Sequence, residues 1–375
     1  MAWTAAAIRY TVFPALQGKA MKRRKFLSHC AATGLSAVFC GQSFGRDSGE
    51  PSLDAGINAT DLLIADPHAH PYPMQGSRSY DSSTPTIDIM KKLNMALCSF
   101  SAVGDMAYMR GRSGAPFVDT KDQLGKLKHL EEEGQIRLAL KSADVQTPTA
   151  SRTVPAGLMA IEGGDALEGK LQNLDVFHEY GVRLMTLMHE RDNEIGFNQR
   201  SSSDGPLTPF GVQVVERMNK LGMVVDVAHA RTGTLKSIAE VSTMPLVDSH
   251  TSPFPPGEEG AGSRRLRTWQ EMETIAKTGG LVCTWPLAYS GRNSLRTTLK
   301  HWAEEIVLMK ARLGIEHCGL GTDGGGGLPR LVEGWRSIAS LPDLMAEMRK
   351  AGLTREDIAA CVGGNFLRLL GKCLT

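Results

Sequence analysis

The sequence contains no apolar run approaching the roughly 18 residues that a membrane-spanning helix requires, so no transmembrane segment is expected. It also lacks any Cys-x-x-Cys pair among its seven cysteines, which excludes a zinc ribbon and a thioredoxin-type redox motif. Charge of one sign is scarce. The formal balance is only +2, which argues against nucleic acid or an anionic membrane surface as partner. Cys30 and Cys40 fall close to the N-terminus, and the odd number beyond them leaves at least one thiol unpaired. No disulfide framework can be read from them. What is present is ample apolar material: 42% of 375 residues, enough to bury a large core without covalent help.

The N-terminal segment has the marks of a targeting signal. From Met21 the chain reads Met-Lys-Arg-Arg-Lys-Phe-Leu, followed by a modestly apolar run from Ala31 to Cys40. A basic start, a short apolar stretch and small residues describe an export signal. The adjacent Arg23 and Arg24, with Phe26 and Leu27 behind them, resemble a twin-arginine leader, a route that exports folded proteins. We therefore expect an upstream-start extension over 1–20, an export signal over 21–45, a polar linker over 46–60 and a periplasmic location.

Beyond residue 60, short apolar runs alternate with longer amphipathic stretches. Candidate strands are Leu62–Ala65, Ala96–Phe100, Ile136–Leu140, Leu158–Ile161, Val182–Leu187, Met223–Val227, Pro245–Val247, Leu281–Thr284 and Cys318–Gly321. Helical patterns lie between most of them, over Thr120–Glu133, Phe210–Leu221, Trp269–Lys277 and Leu299–Leu313. Strict alternation favours a parallel sheet, and about eight repeats favour its closure into a (β/α)8 barrel of TIM type. Nine candidates are one too many, so one is an extra strand or no strand. No break in composition divides 61–375, which reads as a single domain.

The polar residues fall at the ends of these strands. His68 and His70 follow the first; Glu162, His189, His229, His250 and Asp323 close five others. In such a barrel the carboxyl ends of the strands form the active face, so these groups converge on one mouth. One strand-end histidine is commonly a hydrogen-bonded structural group. Six strands ending alike are hard to explain as packing, because buried charge needs a partner. Alternate strand residues share a side, so His68 and His70 can hold one ion. Imidazole and carboxylate donors suit zinc, and the two oxygens of Glu162 can bridge a pair of ions. Gly324–Gly327 lacks the Lys-Ser/Thr of a phosphate loop and reads as a tight turn beside the site.

Together these motifs resemble the membrane (renal) dipeptidase family of amidohydrolase-like enzymes, from about Asp61 to the C-terminus. They are Asp66-Pro-His-Ala-His70, Met159-Ala-Ile-Glu-Gly-Gly164, Met185-Thr-Leu-Met-His189, Val225-Asp-Val-Ala-His229, Asp248-Ser-His250 and Gly319-Leu-Gly-Thr-Asp323. The resemblance implies zinc-dependent cleavage of dipeptides by a hydroxide bridging two ions. It implies that His68, His70 and Glu162 hold one ion and that Glu162, His229 and His250 hold the other. His189 would stabilise the oxyanion, Asp323 would move the proton, and Arg265 would take the substrate's terminal carboxylate. Three departures bear on this. His70 stands where the family has Asp, Asp323-Gly-Gly-Gly326 replaces Asp-aromatic-Asp-Gly, and Arg265-Leu266 replaces Arg-Asn, with Trp269 in place of a following Asp. Two other readings stay open: a metal hydrolase of another small amide, lactone or phosphoester, and a barrel that binds a ligand without turnover. A homodimer is compatible with the sequence.

Overall fold

The computed structural model describes residues 57–70, 86–109, 115–145, 154–255, 265–290 and 295–374. The expected extension over 1–20 and export signal over 21–45 lie outside these residues, as does the linker up to residue 56. The end of that linker is not irregular. Ala59–Asp61 forms a 3-10 turn whose first N–H groups are capped by Asn58.

Eight strands run parallel in chain order: β1 (Ala65–Ala69), β2 (Leu97–Val103), β3 (Ala156–Glu162), β4 (Val182–Thr186), β5 (Val224–Asp226), β6 (Val247–Thr251), β7 (Leu281–Thr284) and β8 (Cys318–Leu320). The ring closes at its carboxyl end, where Asp323 N–H donates to His68 O (2.9 Å) and Ala69 bridges Gly324. The extra candidate, Ile136–Leu140, contributes only Arg137–Leu138, paired with the start of β3 outside the ring. It stops there because the N–H groups of Leu140 and Lys141 turn to the Asp144 carboxylate (2.9 and 3.0 Å).

Two expected strands are displaced toward the mouth. β1 begins at Ala65 rather than Leu62, and β6 runs from Val247 to Thr251 rather than from Pro245 to Val247. Both contain buried polar residues, such as Asp66, His68, Asp248 and Ser249, which hydropathy assigns to loops. Of the expected helices, Trp269–Lys277 and Leu299–Leu313 match residue for residue, whereas the one expected from Thr120 begins a turn earlier, as Pro116–Glu132. Their ends have local causes. In Pro209–Leu221, the Thr208 hydroxyl accepts from Gly211 N–H, and Gly222 in the left-handed region closes the helix. Its buried Val214, Val215 and Met218 face the barrel.

At the opposite end, helix Asn365–Cys373 packs Phe366, Leu369 and Leu370 against the first residues of β1, β2, β3, β5, β6 and β7. This apolar plug seals the base. At the mouth, a Cβ on Gly321 would lie 1.7 Å from Ser249 O, so only glycine lets the segment after β8 approach β6. Cys98, Cys283, Cys318, Cys361 and Cys373 are free buried thiols.

Candidate metal centre

The strands deliver the polar residues as expected, though His68 and His250 lie inside β1 and β6 rather than beyond them. His68, His70, Glu162, His189, His229, His250 and Asp323 are all buried. Two of them hold backbone conformations unusual for residues with a Cβ: His229 at φ 63° and Asp323 at φ 47°. Such strain persists only where the surroundings over-determine it. Around His229, the Arg267 guanidinium donates to Val227 O and Ala230 O, while the Asp226 carboxylate accepts from Ala228 N–H (3.0 Å). Asp323 is fixed by its own N–H on His68 O and by Gly326 N–H on its carbonyl (2.9 Å each).

Glu162 is at the centre. Its Oε1 lies 3.2 Å from His229 Nε2, 3.4 Å from His68 Nε2 and 3.6 Å from His250 Nε2. Its Oε2 lies 3.4 Å from His70 Nε2 and 3.5 Å from His189 Nε2. His68 and His70 bring their Nε2 atoms within 3.2 Å of each other, and His229 and His250 within 2.8 Å. Asp323 Oδ1 stands 3.5 Å from His70 Nε2 and 3.8 Å from His68 Nε2.

Outer partners set which ring nitrogens are bare. His70 Nδ1 meets the Ser101 carbonyl (2.9 Å), which only accepts, so Nδ1 carries the proton. The Ser249 hydroxyl gives its proton to Asp226 Oδ2 (2.6 Å) and therefore accepts from His250 Nδ1 (2.9 Å). His189 Nδ1 lies 2.7 Å from Asp105 Oδ1. In their neutral forms these rings turn lone pairs on Nε2 toward the centre.

Burial pushes the Glu162 carboxyl up, but His189, His68 and His229 outweigh it and hold the group well below the usual carboxylate range. Burial lowers His70, yet its contacts with Asp323 and Glu162 prevail and lift it to about 10. For His250, burial and the neighbouring His68 and His229 act together and keep the ring well below its ordinary value. His189 is raised: burial opposes protonation, but Glu162 and Asp105 outweigh it, while the positive charge of Arg265 works against them.

This donor set fits metal ions. Two nitrogens held by one zinc at about 2.0–2.1 Å stand roughly 2.9–3.4 Å apart, close to the spacing in both histidine pairs. Two groups among the described residues have ligand atoms close enough to share an ion: His68, His70 and Glu162, and Glu162, His189 and His229. The second includes His189, expected only as an oxyanion donor, while His250 stands directly against His229. A cation at the first would take the place of the proton on His70.

Arg265 sits at the rim, its guanidinium engaged by Glu190, the residue after His189. Sequence reasoning missed Glu190, Asp105 and Ser101. The two that come with β2 had no signal, because that strand ends without a histidine. The supports Asp66, Asp226 and Asp248 did leave one: each precedes its histidine by two or three places. Of the other histidines, His129 is exposed and His317 Nδ1 contacts Gly280 O (2.8 Å).

A closed parallel barrel with imidazoles and carboxylates gathered at the carboxyl ends of its strands is the architecture of a (β/α)8-barrel enzyme, whose active site lies on that face. The family model for membrane dipeptidase (peptidase family M19) matches residues 84–374, and the chain belongs to that family. It is similar to dipeptidase tcpJ of Claviceps purpurea (strain 20.1), 26% identical over 265 residues that cover 68% of this chain and 60% of that protein. The chain thus spans only about half to three fifths of the length of the curated relatives it matches. Its fold is similar to that of the probable dipeptidase PvdM from Pseudomonas aeruginosa, with a TM-score of 0.72 at 19% identity over 84% of this chain and 96% of that one. It is also similar to a metallo peptidase from Rhodobacter sphaeroides liganded with a phosphinate mimic of the dipeptide L-Ala-D-Ala. There the TM-score is 0.70 at 21% identity, over 84% of this chain and 99% of that one.

Proposed function

We propose that the protein is a zinc-dependent hydrolase cleaving the amide bond of dipeptides, with two ions bridged by Glu162. The observation that carries this reading is the carboxylate of Glu162 set among five imidazole nitrogens within 3.6 Å. His68 and His70 would complete one site, and His229 and His250 the other. Bound there, the ions would supply the Lewis acidity that polarises a peptide carbonyl and acidifies water.

The chain's own residues supply the rest. Asp323, a carboxylate on the rim of the His68–His70 pair, accepts the proton of the attacking water and returns it to the leaving amine. His189, oriented through Nδ1 by Asp105, donates Nε2–H to the developing oxyanion when its ring is protonated. Arg265 receives the terminal carboxylate, a task suited to a planar guanidinium. Membership of the dipeptidase family supports a dipeptide over a lactone or phosphoester. The basic start at Lys22 and the apolar run behind it support export to the periplasm; the mature enzyme is then recovered from that fraction.

Purified protein supplied with zinc should hold close to two ions and hydrolyse members of a panel of L-L and L-D dipeptides. Absence of bound metal, or of turnover across the panel, sinks the reading. Asp323→Asn should lower kcat about 10²- to 10⁴-fold. Zinc content and melting temperature should hold, whereas a residue serving as ligand or anchor would move one of them.

A further inference from the structure

Glu190 is placed with care. Its N–H donates to Asp105 Oδ2 (3.2 Å), the carboxylate that also orients His189. Its side chain, 19% exposed, carries a guanidinium on each oxygen: Arg265 Nη2 on Oε1 and Arg200 Nη1 on Oε2. Arg200 is itself anchored, its N–H donating to Asn198 Oδ1 (2.8 Å) while Asn198 Nδ2 donates to His189 O (3.0 Å). Within this trio one carboxylate faces two cations.

A terminal carboxylate arriving at Arg265 therefore meets a guanidinium already engaged by a group of the same chemistry. We propose that Glu190 is a placeholder for the substrate's carboxylate and a specificity-determining residue. A peptide ending in a free carboxylate displaces Glu190 from Arg265, and Arg200 retains the displaced side chain so that its charge stays paired. A ligand ending in an amide has no charge with which to compete and leaves the Glu190–Arg265 pair closed. The substrate class this selects is peptides whose free carboxylate belongs to the residue just after the cleaved bond. Until it is displaced, Glu190 also keeps Arg265 from standing as an uncompensated cation beside His189.

The inference rests on the reading of Arg265 as carboxylate anchor, so the test separates the two. The probe is whichever of L-Ala-L-Ala and L-Ala-D-Ala turns over faster, compared with its C-terminal amide, on zinc-loaded enzyme. Glu190→Gln keeps the side-chain size and removes the competing charge. KM for the free dipeptide should fall about two- to fivefold, the factor a partly exposed ion pair commands, with no gain for the amide. Arg200→Ala removes the holder of the displaced carboxylate and should raise KM by a similar factor. Combined with Arg265→Ala, the Glu190→Gln gain should disappear. A KM for Glu190→Gln that is unaltered or higher, or an equal gain for the amide, overturns the placeholder. If Arg265→Ala alone raises KM while Glu190→Gln fails to lower it, only the placeholder falls. If Arg265→Ala leaves KM unaltered, both do.

Discussion

The two ends of the barrel are built from the same strands and have opposite characters. At the base, the first residues of β1, β2, β3, β5, β6 and β7 are Ala65, Leu97, Ala156, Val224, Val247 and Leu281, closed over by the helix Asn365–Cys373. At the mouth, β1, β3, β4, β5, β6 and β8 lead to imidazoles and carboxylates that are equally buried. The base gains from apolar area removed from water, a term that needs no particular partner. The mouth keeps buried polar groups only because each finds a specific partner, and those partners come from neighbouring strands. Stability and chemistry are thus separated along the strand axis.

Substitutions at the two ends should therefore move different observables. The largest effect is expected from Glu162→Gln, which removes the charge shared by both histidine pairs. Zinc content should fall at both sites together and activity with it, by at least about a hundredfold, since even outer-sphere changes cost 10- to 100-fold. Loss of only one ion would show that the two pairs do not share this carboxylate. At the base, Phe366→Ala should cost about 3–5 kcal/mol of stability in denaturant unfolding. Activity per folded molecule should remain close to wild type, and a collapse of kcat there would break the separation of the two ends.

The smallest effect concerns Asp66, where apolar burial and polar partners meet inside β1. Burial lifts its carboxyl to about 6, against the hydrogen bonds from Thr322 and His68 that favour the charged form. A folded value above the ordinary one means that its stabilising contribution is complete near pH 4 and is lost as pH rises through about 6. Asp66→Asn does not titrate. In metal-stripped protein the variant should gain on wild type by about 1–3 kcal/mol between pH 5 and pH 7.5. A pH-independent difference would mean that burial does not control this group.

The barrel and the seven groups at its mouth were legible because alternation of strand and helix, and histidines at strand ends, are local patterns. Where the reading slipped, tertiary partners had overridden hydropathy. β6 carries Asp248 paired with the buried Arg267 (2.7 Å) and Ser249 held by Asp226, so a polar stretch continues as strand. Leu140 looks like strand and is turned away by Asp144. Asp105 reaches His189 because Gly104 packs against Gly163, where a Cβ would lie 2.0 Å from the carbonyl oxygen. That contact joins residues far apart in the chain. Nothing in the spacing around Asp105 announces it.

The five thiols among the described residues have a use that has nothing to do with catalysis. Each is sealed inside the barrel or its helices, and burial pushes every one of them above the ordinary thiol range. A low thiolate population and the lack of access both suppress alkylation. Labelling of these five in a native sample is therefore silent until a segment opens, and each clocks the opening of its own neighbourhood: Cys98 for β2, Cys283 and Cys318 for β7 and β8, Cys361 for the turn Ala360–Gly364, and Cys373 for the helix at the base. The molecule carries a set of timers from which the order in which its parts come undone can be read, without a probe being engineered into it.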